Sequence, residues 1–238
     1  MWNSNMRGLY IAVAAWLVSG SSLMASDMRP QPGDVRAETP SYSPYAGREF
    51  PTRVLFGDTH LHTAISVDAG TMNRVGQEDA LRFARGEEIT TTHGLKARLS
   101  RPLDFLVVSD HAEMYGLMPA LLKGDPDVLA TEAGKRWYDM LKSGDPDQTF
   151  AAAMEIVDSL SKPEAPISNP RLVRDAWRRY TALADRYNEP GRFTAIIGYE
   201  YTTQGGNNLH RNVLFRGDAQ TANRTLPFSQ FDSQNPED

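Results

Sequence analysis

The chain has 238 residues, 40% apolar and 23% charged, which suits a soluble globular protein with room for one domain of ordinary size or the first part of a larger one. Its 25 basic and 30 acidic residues balance at −5, which argues against a nucleic-acid partner because such partners usually meet a basic surface. There is no cysteine, which excludes disulfides, a thiol nucleophile and thiolate metal sites, and leaves histidine and carboxylate as the ligands for any metal.

Residues 1–26 carry Arg7 as their only charge, followed by the apolar stretch "LYIAVAAWLVSG" and the small residues "SSLMAS". This is the pattern of a secretory signal peptide, with cleavage expected near Ala25 or Ser26 and export to the periplasm or the medium. An uncleaved anchor would need about 20 apolar residues to span a bilayer, so no stable membrane insertion is expected after cleavage. Without Arg7 the mature chain has 24 basic and 30 acidic residues, a balance of −6. Residues 27–52 are proline-rich, with little periodicity, and read as an extended leader before a domain at 53–238.

A first strand is expected at Arg53–Gly57, and "QEDALRFAR" (77–85) has helical spacing, with Ala80, Leu81, Phe83 and Ala84 on one side. "LDFLVVSD" (103–110) is a continuous apolar run, as expected of a strand buried on both faces. A helical section at about 112–190 follows. "DPDVLATEAGKRWYDMLKSG" and "DPDQTFAAAMEIVDSLSK" each open with an Asp cap and Pro in the first turn. In "NPRLVRDAWRRYTALADRYNEPG" the expected apolar stripe is Leu172, Ala176, Tyr180, Leu183 and Tyr187, with the arginines forming a solvated face paired to Asp175 and Asp185. "FTAIIGYEYT" (193–202) and "HRNVLFRG" (210–217) read as further strands, giving an α/β architecture with a mainly parallel sheet. "SQNPED" resembles a helix start, with Asn235 as cap and Pro236 at the first position, so the chain is expected to be the first part of a longer protein.

The chemistry gathers in "GDTHLHT" (57–63). Strand alternation puts Asp58, His60 and His62 on one face, with the imidazoles about 6.5–7 Å apart along the backbone, close enough to share one cation. Such a pair also arises by chance or on a surface strand. Asp110 and His111, however, follow the Val107–Val108 strand, and Glu200 follows Ile196–Ile197. Three apolar strands thus end in potential ligands, as at the C-terminal face of parallel α/β barrels. Asp110 and Glu200 could equally cap the segments that follow, and Asp110 also suits fixing the second N–H of a ligating imidazole.

"GDTHLHTAISVDAG", "RPLDFLVVSDHAE", "IIGYEYT" and "HRNVLFR" together resemble the polymerase-and-histidinol-phosphatase (PHP) metallohydrolase superfamily, and most closely its member family of unknown function numbered 3604. The resemblance implies a distorted (β/α)7 barrel, partial here because the C-terminal strands are missing, with a helical insertion and a site for two or three divalent metal ions (Zn, Mn or Fe). It implies that His60 and His62 bind one metal, that Asp68 and His111 hold a third ion or align substrate, that Glu200 bridges two metals, and that His210 is the next ligand. Asp58 and Asp110 fall behind the ligands, while Glu200 and His111 stand closest to catalysis. Asp68 can also be read as a turn aspartate before Ala-Gly. His93, in a polar loop, matches no family ligand, and Gly205–Gly206 reads as a turn, not a phosphate loop.

The implied activity is hydrolysis of a small-molecule phosphate ester, with hydroxide generated at the metals attacking phosphorus in line. Two rivals share the same residues: a metal-dependent hydrolase of an amide or lactone, and a non-catalytic exported metal-binding module. The five histidines (60, 62, 93, 111 and 210) leave out the further histidine and closing Asp-x-His that the superfamily draws from later strands, so the chain alone is expected to be poorly active.

Overall fold

Parallel strands buried on both faces need continuous apolar runs, and this chain has two of them, around Leu106 and Ile197. The structure, a computed structural model, describes residues 53–203, 209–235 and 237–238. The expected signal peptide, the proline-rich leader, Gly205–Gly206 and Pro236 lie outside the described residues.

The main sheet is built from β1 (Gly57–Leu61), β4 (Phe105–Val108), β5 (Thr194–Thr203) and β6 (Leu209–Leu214), in the order β1-β4-β5-β6. β1 and β5 both run parallel to β4, while β6 returns antiparallel along β5. The sheet curls into a half-barrel. Its two outer strands are drawn together where Asn212 Nδ2 of β6 donates to Thr59 O of β1 at 2.8 Å. β2 (Ile89–Thr90) and β3 (Lys96–Ala97) form a separate short hairpin, and the exposed His93 sits in its turn. The architecture is mixed α/β, as expected.

The first strand starts four residues later than the expected Arg53. Pairing begins at Gly57↔Phe105, and Val54, Leu55 and Phe56 precede it with exposed side chains, so apolar character there does not mark the strand. Glycine at 57 lets β1 lie against β4, since a Cβ there would stand 2.4 Å from Phe105 O. Glu200 lies inside β5, within the strand expected at 193–202, and β5 runs on to Thr203 because β6 continues to pair with it.

Between β1 and β4 lie α1 (Ala69–Met72) and α2 (Gln77–Ala84), and between β4 and β5 lie α3 (Leu117–Lys123), α4 (Pro126–Leu129), α5 (Glu132–Lys142), α6 (Pro146–Ser159) and α7 (Pro170–Tyr187). A last turn, α8 (Ala219–Ala222), follows β6. The helix expected from Asp125 is two. Asp125 caps α4, but Thr131 then accepts from Gly134 N and restarts the chain as α5, a second cap embedded in the same run. Asp145 caps α6 with Pro146 in its first turn, as expected.

Two apolar clusters result. One lies between the sheet and α2 and α7; the other gathers α3 to α6 around Trp137. The buried face of α7 is Ala176, Trp177, Tyr180, Thr181 and Ala184, rotated from the expected stripe so that Trp177 is central and Leu183 and Tyr187 sit at the margin. Trp177 packs against Tyr115, Tyr180, Tyr199 and Phe215 with ring centroids 5.6–5.9 Å apart, and its indole N–H donates to Ala222 O at 3.3 Å. The α7 arginines do not pair as expected: Arg171 meets Asp127 and Arg186 meets Glu78, both on other elements, while Asp185 accepts from Ala219 N. Phe83 is only partly buried, whereas Ala80, Leu81 and Ala84 face the core as expected.

This packing makes Trp177→Ala a severe substitution, expected to cost about 3–5 kcal/mol. Urea unfolding followed by far-UV circular dichroism should show the loss; a change below about 1 kcal/mol would mean that the aromatic cluster does not hold α7 to the sheet.

Candidate metal centre

Side chains alternate along a strand, so Tyr199 and Tyr201 of β5 point into the aromatic core while Glu200 and Thr202 point to the opposite face. Directly paired residues share a face, so the pairs Glu200↔Asn212 and Thr202↔His210 bring His210 to that side as well. β1 ends beside the same carboxylate. His60 Nε2 is 2.9 Å from Glu200 Oε2, and His62 Nε2 is 2.6 Å from the same oxygen. His210 Nδ1 makes a short contact with Glu200 Oε1. A fully buried carboxylate is thus met by three imidazoles from two other strand segments.

The second half of the cluster forms around Asp68. Its carboxylate lies 3.2 Å from His62 Nδ1 and 3.5 Å from His111 Nε2. Asp68 also accepts from Ala69 N as the cap of α1, so the turn aspartate stands within the cluster. His111 follows β4 and is tied to β5 by a bridge to Glu200, with Ala112 N donating to Glu200 O at 2.8 Å. Neighbouring rings pack in the order His60–His62–His111–His210, with centroids 5.0, 4.7 and 5.8 Å apart.

The six expected metal ligands therefore come together. They form three overlapping sets, His60–His62–Glu200, His62–Asp68–His111 and His111–Glu200–His210, with the ligand atoms of each set within 4.8 Å of one another. His62, His111 and Glu200 each belong to two sets. His93 belongs to none.

One orphaned atom tests whether a cation fits. His62 Nε2 is buried and has no hydrogen bond, although Glu200 Oε2 is 2.6 Å away. The two atoms crowd together without aligning, as donors aimed at a common point do. The mixture of imidazole nitrogen and carboxylate oxygen suits Zn, Mn or Fe. His/Glu/Asp groups able to hold metal are thus present.

Asp58 and Asp110 stand apart from the imidazoles. Asp58 faces its own strand, where its Oδ1 accepts from His60 N at 2.8 Å. The β1–β4 register shifts between Asp58 and Leu61, and this side chain satisfies the backbone at the irregularity. Asp110, fully buried, accepts from Thr63 N at 2.6 Å, Thr63 Oγ1 at 2.9 Å and Gln77 Nε2 at 2.8 Å. It locks the turn after His62 and does not itself hold a ring N–H. Burial pushes its carboxyl up, against the pull of those donors.

Three residues in the cluster were not anticipated. Thr202 Oγ1 lies 2.9 Å from His111 Nδ1 and 3.3 Å from His210 Nδ1. Ser66 Oγ is 3.2 Å from His62 Nδ1 and accepts from His111 N at 3.1 Å. Glu113 is wholly buried: Oε1 accepts from Thr202 N and Gln230 N, while Oε2 has no hydrogen bond and lies 3.4 Å from His111 Nδ1. Its place two residues after His111 was the available signal. The turn that follows it passes through the left-handed region at Met114 (φ 49°) and Gly116 (φ 84°). A Cβ at Gly116 would also strike Ala176 Cβ at 2.6 Å, so glycine lets this turn pack on α7.

The metal-free electrostatics are those of a crowded ion cluster. Burial works against the charge on His62, yet Asp68 and Glu200 outweigh it and raise the imidazole to about 9. Burial likewise opposes His111, but Asp68 and Glu113 raise it to about 10. Against its own burial, Asp68 is held well below the carboxylate range by His111 and His62, and Glu200 falls to about 2 beside His62, His111 and His210. A raised histidine stabilises the fold fully below its usual 6.5, and this contribution is lost as pH rises through about 9 to 10. The depressed carboxylates act in the opposite direction, stabilising above their usual range and losing that contribution as pH falls through about 2.

Metal-free protein is therefore expected to lose thermal stability as pH rises from about 6.5 to about 10, whereas metal-loaded protein, with those protons already displaced, should lose much less. Calorimetric scans with and without chelator check this; parallel curves would contradict it. Metal uptake at pH 7 should also release protons, close to one each from His62 and His111, measurable by titration calorimetry in buffers of different ionisation enthalpy.

Among the described residues no helix is long and apolar enough to cross a membrane. Comparison with curated proteins and with solved structures gives no match. A family model described as "Protein of unknown function (DUF3604)" matches residues 49–238, which include every residue of the cluster. The chain belongs to the DUF3604 family.

Proposed function

We propose that this protein is a metal-dependent hydrolase, most specifically an exported phosphoesterase related to the PHP superfamily, acting on a small-molecule phosphate ester. The observation that carries the reading is the sharing of His62, His111 and Glu200 among three ligand sets, which suits a cluster of two or three cations better than a single structural ion. The order of the motifs along the chain and the curled, mainly parallel sheet agree with a PHP-type barrel.

Divalent cations, when bound, supply Lewis acidity toward phosphoryl oxygens and toward the attacking water at neutral pH. The chain's own groups do the positioning. Glu200 presents one oxygen to His60 and His62 and the other to His210, so it spans two sets from a buried, fixed strand position. His62 and His111 would hold the ions as neutral imidazoles, their protons released to solvent. Asp68 and His111 hold the outer set nearest α1, where an ion or the substrate phosphoryl group would be aligned. Thr202 and Glu113 fix the plane of the His111 ring from behind. Asp110, through Thr63, Gln77 and the Tyr115 hydroxyl that Gln77 also meets, keeps the first motif docked on the second.

The test is turnover of a phosphoester panel by full-length protein loaded with Zn, Mn or Fe, read as phosphate release alongside metal content. Two or three ions per chain and chelator-sensitive turnover are expected. Glu200→Gln should retain the fold by circular dichroism yet lose about 100-fold or more in kcat/KM. Bound metal with amide or lactone turnover alone would move the reaction to a carbon centre. Bound metal with no turnover would leave a metal-binding module. Either result overturns the phosphoesterase reading.

A further inference from the structure

Beside the metal centre, α1 and α6 form the walls of an open groove of about 590 Å³. That volume lies within the range of small-molecule sites. Its walls include Met72 from α1 and Phe150, Ala153, Met154 and Val157 from α6. Asp68 is part of the lining and its only charged residue. The same Asp68 carboxylate belongs to the His62–Asp68–His111 set, so groove and cluster are continuous through one side chain.

Isolated exposed apolar residues are ordinary, but a group of them lining one concavity is not. Met72, Phe150 and Met154 are 78%, 67% and 51% exposed, and all three border this groove. The walls offer an anion no cationic side chain, and the lone carboxylate would repel one. An anionic group would be drawn to cations held beside Asp68 in the cluster, leaving the apolar walls for whatever is attached to it. Two thioethers and a phenyl ring make an adaptable surface for a chain or a ring system. A second large concavity, about 550 Å³ and lined by Asp185, Thr194 and Arg216, lies by the start of β5 and includes no member of the cluster.

We infer that the α1–α6 groove seats the apolar portion of the substrate, which makes the substrate class phosphate esters of hydrophobic alcohols or phenols. This rests on the phosphoesterase reading for its anionic end, and on the groove alone for its apolar end.

Binding of n-alkylphosphonates separates the two, because the carbon–phosphorus bond resists hydrolysis and affinity can be read without turnover. For metal-loaded full-length protein, titration calorimetry with methyl-, butyl- and octylphosphonate should show tightening of about twofold or more per methylene, reaching about 100-fold from methyl to octyl. The double variant Phe150→Ser/Met154→Ser should cut the octyl-to-methyl ratio to below about tenfold. Its thermal transition should stay near that of the parent, because both side chains are exposed.

An affinity independent of chain length would overturn the assignment, as would an unchanged ratio in the variant. Concentration-dependent dimerisation in sedimentation, abolished by the variant and without any chain-length effect, would also overturn it and give the groove to a second copy of the chain. Chain-length dependence together with a complete lack of phosphoester turnover would refute the phosphoesterase chemistry and leave the apolar seat standing.

Discussion

A carboxylate taken wholly out of water is costly unless cations or strong donors meet it, and Glu200 is such a group. Three imidazoles answer it, two from the end of β1 and one from β6. The rest of the structure can be seen as the means of keeping that carboxylate in place. Tyr199 and Tyr201, on either side of it in sequence, are anchored in the aromatic core, so strand alternation alone forces Glu200 to the other face. Trp177 on α7 packs on Tyr199 and so holds the strand from behind.

The curl of the sheet does the complementary work. β1 and β6 are the outer strands of the order β1-β4-β5-β6, yet Asn212 reaches from one to the other, and His60 and His210 reach the same carboxylate from opposite sides. A flat sheet would hold those two histidines apart. Tight connections reinforce the assembly. Asp110 clamps the turn after His62, Ser66 links the His62 ring to the His111 backbone, and Asp68 both starts α1 and faces two rings. Without metal, close contacts that do not align and raised imidazoles mark the cluster as a set of donors held nearer to each other than their own hydrogen bonding requires.

His60, His62, His111 and Glu200 were legible because metal chemistry restricts residue type and because each stands at or beyond an apolar strand that periodicity can locate, whereas Asp68 and His210 entered only through the family resemblance. His60, His62, Asp68, His111, Glu200 and His210 all fall in the cluster. The supporting shell was not legible. Thr202 and Ser66 are common residues whose roles depend on register and curl, and Glu113, two residues after His111, offered only that spacing as a signal. Asp58 shows the limit of alternation: it belongs to the right face by count, but a register irregularity turns it to the backbone of its own strand. The apolar run Val54–Phe56 misplaced the first strand because edge strands are defined by pairing and not by burial. The arginines of α7 found partners on other elements, which are close in space and distant in sequence.

Anomalous X-ray diffraction from crystals grown with Zn, Mn or Fe, recorded on both sides of the metal's absorption edge, tests the central claim most directly. The account predicts anomalous peaks about 2 Å from His62 Nε2 and from a Glu200 oxygen, with a further peak between Asp68 and His111. A featureless anomalous map, with His62 and Glu200 bonded to one another as an ordinary buried pair, would contradict it.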